Sequence, residues 1–284
     1  MKASVAGYAR AQSLDHMFEL LGSAQGEARV IAGGQSLVAS LNLRLSDGAL
    51  LVDIGHLSTL RGIAVSGGFL RLGALTRHAE LAQDPLVATH APLLAQAAPL
   101  IAHAAIRSRG TLGGSLANAD PAAELPACMM ALGAHILLRS PNGERRIPAD
   151  DFFEGLFMTA LEEDEIIVAV DVPLMARSEK HVIQELTRRS GDYAIVGLAA
   201  VSRPQNIRLA YFGVSDTPVL ATGAMRALNS GAALEDAINA LQDDLDPESD
   251  PHASAAYRRH LAGVLLRRVM ADLNTTDTGM EQAQ

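Results

Sequence analysis

The chain has 284 residues and carries 23 Lys and Arg against 32 Asp and Glu, a formal charge of −9. That length exceeds what one hydrophobic core ordinarily serves and predicts two domains, while the acidic balance lacks the basic stripe that nucleic-acid binding needs. Apolar residues make up 49 % and charged ones 19 %, which excludes disorder, and the single cysteine, Cys128, excludes an internal disulfide or an iron–sulfur cluster or structural zinc held by this chain alone.

In chain order, the N-terminal MKASVAGYAR lacks the apolar run of a signal peptide, and no 18-residue apolar stretch follows. A soluble, cytoplasmic protein without membrane contact is expected. Leu14, Met17, Phe18 and Leu21 recur at helical spacing between Ser13 and Gly22, which predicts a short amphipathic helix with an N-cap and a glycine stop. Val30-Ile31-Ala32 reads as a buried strand running into Gly33-Gly34, and Leu50–Ile54 as a second strand ending at Gly55. These form a small α/β unit.

Beyond His56, short apolar stretches alternate with glycine turns (63–65, 70–72), the pattern of hairpins. Asp84-Pro85 and Ala91-Pro92 read as helix starts, since proline in a first turn loses no hydrogen bond. The second helix is expected to run to His103 with an interruption at Pro99. A helix around Leu125–Leu132, with Cys128 as a small buried residue, and strands at 134–139 and 166–172 complete this part. After a polar linker at 174–180, three strands at 181–189, 193–201 and 206–214 predict an antiparallel sheet. Helical periodicity follows at Leu234, Ile238 and Leu241, and again from Tyr257 to Leu273. The acidic tract Asp243–Asp250 reads as an exposed loop, Arg258-Arg259 and Arg267-Arg268 as the wet side of a helix, and the tail after Asn274 as disordered.

Two glycine pairs, each followed by serine, stand out: Ala32-Gly33-Gly34-Gln35-Ser36 and Thr111-Leu112-Gly113-Gly114-Ser115. Paired glycines let successive backbone N–H groups converge with no Cβ in the way. With hydroxyls from Ser36, Thr111 and Ser115, such a nest suits a pyrophosphate. Neither pair matches G-x-G-x-x-G or the Walker A pattern, and either alone also reads as an ordinary tight turn. The histidines (His56, His78, His90, His103, His135) lack H-E-x-x-H or H-x-H spacing, and no G-x-S-x-G elbow occurs, so no metal site and no acyl-transfer serine are expected.

With its flanks, Ile31–Leu37 resembles the first flavin-binding motif of the molybdenum hydroxylase flavoprotein subunits, and Arg109–Pro126 (RGTLGGSLANADPAAELP) is similar to the second almost throughout. Similarity continues through Ala149–Phe153, Thr187–Val196 and Tyr257–Ala262. The family is that of the medium subunits of carbon-monoxide-dehydrogenase-type enzymes, related to the flavin domain of xanthine dehydrogenase.

The resemblance implies an α+β fold. A two-subdomain PCMH-type FAD-binding domain would span 1–176, with subdomains of about 1–55 and 56–176. A C-terminal α+β domain (177–284) with a three-stranded antiparallel sheet and helices would follow. It implies FAD held by Ala32, Gly33, Gly34, Gln35, Ser36 and Leu37 and by Thr111, Gly113, Gly114 and Ser115. Asp120 and Glu124 would lie along the ribityl and ribose, Ile101 and Ile167 would line the flavin, and Tyr193 would pack beside the isoalloxazine. Each also has a plain reading: Asp120 a turn cap, Glu124 a first-turn carboxylate, the isoleucines core, and Tyr193 a strand aromatic.

The function implied is an FAD-binding electron-transfer subunit with no catalytic residue of its own. The expected partners are a large molybdopterin-binding subunit with the molybdenum cofactor, a small subunit with two 2Fe–2S clusters, and an external electron acceptor. The assembly would be a heterotrimer or a dimer of heterotrimers. A stand-alone flavin oxidase or reductase and a flavin-free scaffold are the alternatives. One departure stands out: many relatives carry a lysine shortly before the Arg188-Arg189 pair, where this chain reads Gln184-Glu185-Leu186-Thr187. Either Arg188 or Arg189 supplies that charge, or the flavin potential differs.

Overall fold

A computed structural model describes residues 5–24, 27–45, 49–204 and 206–275. The first unit contains β1 (Gly7–Arg10), α1 (Leu14–Ser23), β2 (Ala28–Ile31), α2 (Leu37–Asn42) and β3 (Leu50–Asp53). Its strands are all parallel in the order β1-β3-β2, with Val52 between Ala9 and Val30. The Ser13 hydroxyl caps α1 by accepting from the His16 N–H, as the sequence predicts. Strand β1 is the surprise: Tyr8 and Arg10 alternate with Ala9, and four residues with so little apolar content give no periodic signal.

The second unit is β4 (Ile63–Ser66), β5 (Phe69–Gly73), α3 (His78–Gln83), α4 (Pro85–His90), α5 (Pro92–Ala97), α6 (Ala104–Arg107), α7 (Leu112–Asn118), α8 (Glu124–Leu132), β6 (His135–Ser140), β7 (Gly143–Pro148), β8 (Phe153–Gly155), β9 (Met158–Thr159) and β10 (Ile166–Pro173). An antiparallel sheet runs β4-β5-β10-β6-β7. β10 (IIVAVDVP) lies at its centre, and its near-continuous burial matches its apolar run. β7 (GERRIP) was not expected as a strand because its charges suit only an exposed edge, which is where it sits. The expected long helix from Pro92 stops at Ala97, two residues before Pro99, so residues 99–103 form a loop.

The third unit comprises β11 (Lys180–Leu186), β12 (Val196–Arg203), β13 (Asn206–Phe212), β14 (Val219–Leu220), α9 (Thr222–Asn229), α10 (Leu234–Asp244) and α11 (Ala255–Asn274). The expected three-stranded sheet is present and gains a fourth, two-residue strand, in the order β11-β12-β13-β14. Two residues pair too briefly to leave a pattern. The expected strand starting at 193 begins instead at Val196, which leaves Tyr193 on the loop before it. The expected acidic loop is partly helix, since α10 runs to Asp244, and Leu245 turns inward at 2 % exposure. The expected disordered tail beyond Thr275 lies outside the described residues.

One helix joins the second and third units. Every residue of α8 from Leu125 to Leu132 is buried, as an all-round apolar helix requires. Cys128 lies within it as expected. The core around α8 continues into Ile183, Ala199, Val201, Ala210 and Phe212 of the third unit. Arg208 crosses the same boundary, donating to the Met130 carbonyl at 2.7 Å and pairing with Asp150 at 2.7 Å.

Candidate functional site

The first glycine pair lies in the β2–α2 loop, and the chain must be glycine at both positions for separate reasons. Gly34 has φ +72°, a left-handed conformation that any Cβ strains. Gly33 presses against the other motif: a Cβ there would stand 2.2 Å from the Arg109 carbonyl oxygen and 3.0 Å from the Gly110 Cα. The two glycine motifs, some 75 residues apart in sequence, therefore touch. Gln35 folds back, its Nε2 donating to the Gly33 carbonyl at 3.0 Å. The backbone N–H groups of Gly33, Gly34, Gln35 and Ser36 have no hydrogen-bond partner among the described residues. Such a half-exposed loop leaves four N–H donors open to water or to an acceptor-rich group.

The second pair corrects the expectation of a free nest. Gly113 and Gly114 are the second and third residues of α7, with Thr111 as N-cap. Its N–H groups are already engaged: Leu112 donates to Thr76 O at 2.8 Å, Gly113 to Ala74 O at 2.8 Å, and Gly114 to the Thr111 Oγ1 at 3.2 Å. Gly113 is buried and serves packing, since a Cβ would lie 2.8 Å from that of Ala74. Gly114 faces outward, and only the Thr111 hydroxyl crowds its Cβ position. What this motif can offer a ligand is a bare backbone surface at Gly114 and the Ser115 hydroxyl.

Sequence reading assigned no role to His78, yet it sits directly beneath this motif. Its Nε2 lies 3.0 Å from Ser115 Oγ and 3.2 Å from the Thr111 carbonyl. Burial drives its pKa down to about 4, so the ring is neutral at physiological pH. With its single proton on Nε2 the ring donates to the Thr111 carbonyl, and with that proton on Nδ1 it accepts from the Ser115 hydroxyl, so the histidine and the serine share one hydrogen-bonding position at the edge of the motif. No spacing rule announces such a histidine, because its partners are 33 and 37 residues away.

Asp120 follows α7 and caps the next turn, accepting from the Ala122 N–H at 3.0 Å. The turn-cap reading of this residue is thus present in the structure. It also interacts with the Tyr193 phenol, and burial raises its pKa. Glu124 opens α8. Burial pushes it up to about 8, with the Glu185 and Asp120 carboxylates adding to the rise. Glu185 on β11 is itself raised to about 7 by burial, and its Oε2 has no partner. Acidic groups thus converge from both sides of the boundary between the second and third units.

Tyr193 is 74 % exposed, while its neighbour Ala194 is buried at 7 %. Tyr193 lines a cleft of about 1040 Å³ together with Pro121, Leu156, Arg188, Arg189 and Arg258. Arg188 and Arg189 are exposed beyond the end of β11 rather than on the sheet face. Ile101 and Ile167 lie in the main core at 9 % and 5 % exposure. Ile101 belongs to the 99–103 loop, whose Ile101 and Ala102 carbonyls accept from Arg107 Nη1 at 2.9 and 2.8 Å. Ile167 stands at a bulge in β10, where the pairing with β6 slips a residue.

The residues present fit a dinucleotide: open backbone donors, two glycine surfaces where a Cβ would intrude, a part-exposed serine hydroxyl, carboxylates for sugar hydroxyls, and an exposed aromatic ring. Among the described residues no group of His, Cys, Asp and Glu could hold a metal ion, and no helix is long and apolar enough to cross a membrane.

Comparison with known proteins gives the family. Residues 3–175 match the family described as FAD binding domain in molybdopterin dehydrogenase, and residues 181–273 match the CO dehydrogenase flavoprotein C-terminal domain. The chain is 38 % identical over 281 residues to the 6-hydroxypseudooxynicotine dehydrogenase complex subunit alpha of Paenarthrobacter nicotinovorans, covering 95 % of each chain. Among solved structures it superposes on carbon monoxide dehydrogenase from Hydrogenophaga pseudoflava with TM-score 0.91 at 36 % identity, covering 94 % of this chain and 96 % of that one. It superposes on quinoline 2-oxidoreductase from Pseudomonas putida 86 with TM-score 0.89 at 36 % identity, covering 96 % and 98 %.

Proposed function

Because this chain belongs to the FAD-binding subunits of the molybdopterin dehydrogenases, we propose that its FAD pyrophosphate lies where the β2–α2 loop meets the start of α7. The chain is an FAD-binding electron-transfer subunit of a heteromeric molybdenum hydroxylase. FAD, when bound, supplies the redox chemistry. The work of this chain is to grip and orient it.

In this reading the Gly34, Gln35 and Ser36 N–H groups and the Ser115 hydroxyl donate to phosphate oxygens. Gly33 lets the two motifs close on each other, Gly113 seats α7 against Ala74, and Gly114 leaves a bare backbone surface for the phosphates. Ala32, Leu37, Thr111, Ile101 and Ile167 form the wall. Asp120 and Glu124 accept from ribityl and ribose hydroxyls, and the Tyr193 ring lies beside the isoalloxazine. The observation that carries the assignment is the contact of Gly33 with the Arg109–Gly110 backbone, which makes one site out of two distant motifs.

The finer partnership is also proposed. A large subunit carries the molybdenum cofactor, a small subunit carries two 2Fe–2S clusters, and electrons pass from those clusters through FAD to an external acceptor. The complex is a cytoplasmic heterotrimer or a dimer of heterotrimers, and the FAD domain spans 1–176. Co-purification of this chain with its chromosomal neighbours tests the reading. The expected result is a complex containing molybdenum, iron and one FAD per copy of this chain, whose flavin is bleached through the iron–sulfur subunit. An isolated chain that binds flavin and turns over a substrate alone would favour the oxidase alternative. A complex without flavin would favour the scaffold.

A further inference from the structure

We propose that Arg258 is a positioning residue for the flavin ring: it locks the Tyr193 loop against the Asp120–Pro121 turn and so fixes where the tyrosine stands. Sequence alone places Arg258 on the wet side of a helix, yet it is 8 % exposed. It lies one turn into α11, whose start Ser254 caps by accepting from the Tyr257 N–H. Its Nη1 donates to the Ile195 carbonyl and, at 2.8 Å, to the Gly213 carbonyl; its Nη2 pairs with Asp250 at 2.6 Å. A guanidinium buried against two carbonyls, with its charge balanced by one carboxylate, is a rigid clamp, because its donors have a fixed fork geometry.

Each clamped group leads toward the site. Ile195 is two residues after Tyr193, and its N–H is tied to the Leu186 carbonyl at 2.8 Å. Gly213 has φ +74°, and its N–H donates to the Pro121 carbonyl at 2.8 Å, next to Asp120. A Cβ at Gly213 would lie 2.8 Å from the Ile195 oxygen that Arg258 holds, so the two loops are in direct contact under the guanidinium. At the far end of the Tyr193 loop, Gly191 abuts the second unit. Its φ is +85°, and a Cβ there would meet the His103 ring at 2.5 Å. Tyr193 thus sits between two fixed points, with partial burial and the nearby Asp120 carboxylate raising the phenol's pKa and its ring largely uncovered.

The inference rests on the flavin reading for what Tyr193 touches, but not for the clamp itself. Its test uses the full chain with Arg258→Met, and Arg258→Lys as a milder variant that keeps the charge but lacks the second nitrogen, so it cannot hold the two carbonyls and Asp250 in one rigid plane. Should Arg258→Met fail to fold, every measurement is made on Arg258→Lys. Two readouts are compared with Tyr193→Ala: hydrogen exchange of the 190–195 amides without flavin, and the fluorescence and midpoint potential of bound FAD.

Arg258→Met is expected to accelerate exchange in that segment at least tenfold, with a smaller acceleration in Arg258→Lys. The flavin signals should shift in the same direction as in Tyr193→Ala, and the double variant should shift them no further than Tyr193→Ala alone. Unchanged exchange overturns the clamp. Accelerated exchange with unchanged flavin signals, or additive shifts in the double variant, overturns the positioning role and leaves Arg258 merely structural. If the wild-type chain binds no FAD, the flavin reading fails and the positioning role with it, while the exchange data still report on the clamp separately.

Discussion

Single atoms decide whether the glycine motifs can meet. An alanine at Gly33 would drive its methyl into the Arg109 carbonyl, since 2.2 Å is far inside contact distance and the obstacle is backbone. Gly33→Ala is therefore expected to weaken FAD binding at least tenfold in a fluorescence titration and to cost about 1–3 kcal/mol of stability by denaturant unfolding. Glu124 makes a prediction with two opposite signs. Its folded pKa of about 8 stands above the ordinary value of 4.5. The folded chain thus retains a proton that the unfolded one has lost between those values, and flavin-free stability falls as pH rises through that window.

Glu124→Gln should flatten that fall and leave the flavin-free chain more stable than wild type at pH 8. If Glu124 accepts sugar hydroxyls as an anion, the same variant should bind FAD more weakly. A more stable variant with unchanged FAD affinity would keep the burial argument and remove Glu124 from the site. The first glycine motif could be read from its residues as a turn with open donors, the second read as a nest is a capped helix start, and the flanking carboxylates were named only through the family resemblance. His78 and Arg258 were not legible, because their partners come from distant segments and neither residue type carries a spacing signature.

At the level of elements, legibility followed amphipathic contrast. Helix α1 with its serine cap and the apolar α8 could be read directly, although α1 runs past the expected glycine stop at Gly22 to Ser23. β1, β7 and β14 could not, being respectively too short, too charged and only two residues long. The loop at 99–103 and the late start of β12 matter more for function, since they carry Ile101 and Tyr193. Their boundaries come from tertiary contacts, the Arg107 and Arg258 clamps, rather than from local propensity. α8 offers a clean probe of the packing. Cys128 is completely buried, and burial beside Glu124 and Glu185 pushes its thiol well up. It should therefore resist thiol reagents in the native chain and react only as the protein opens, with a rate that tracks global unfolding. Rapid stoichiometric labelling under native conditions would mean that the core around α8 is not closed.

Across the whole molecule, the proposed site draws on three units rather than one. The first would supply backbone donors, the second Ser115 and the carboxylates, and the third an exposed ring at the edge of a large cleft. α8 and Arg208 weld the last two together. Such a division suits a subunit whose cofactor must be gripped at its phosphates and reached at its ring by other redox centres. The most direct measurement of this account is a structure of the chain with FAD. The pyrophosphate is predicted within hydrogen-bonding distance of the Gly34–Ser36 amides and the Ser115 hydroxyl, on the seam where Gly33 meets Arg109. A dinucleotide bound elsewhere, with those amides still facing water, would contradict it.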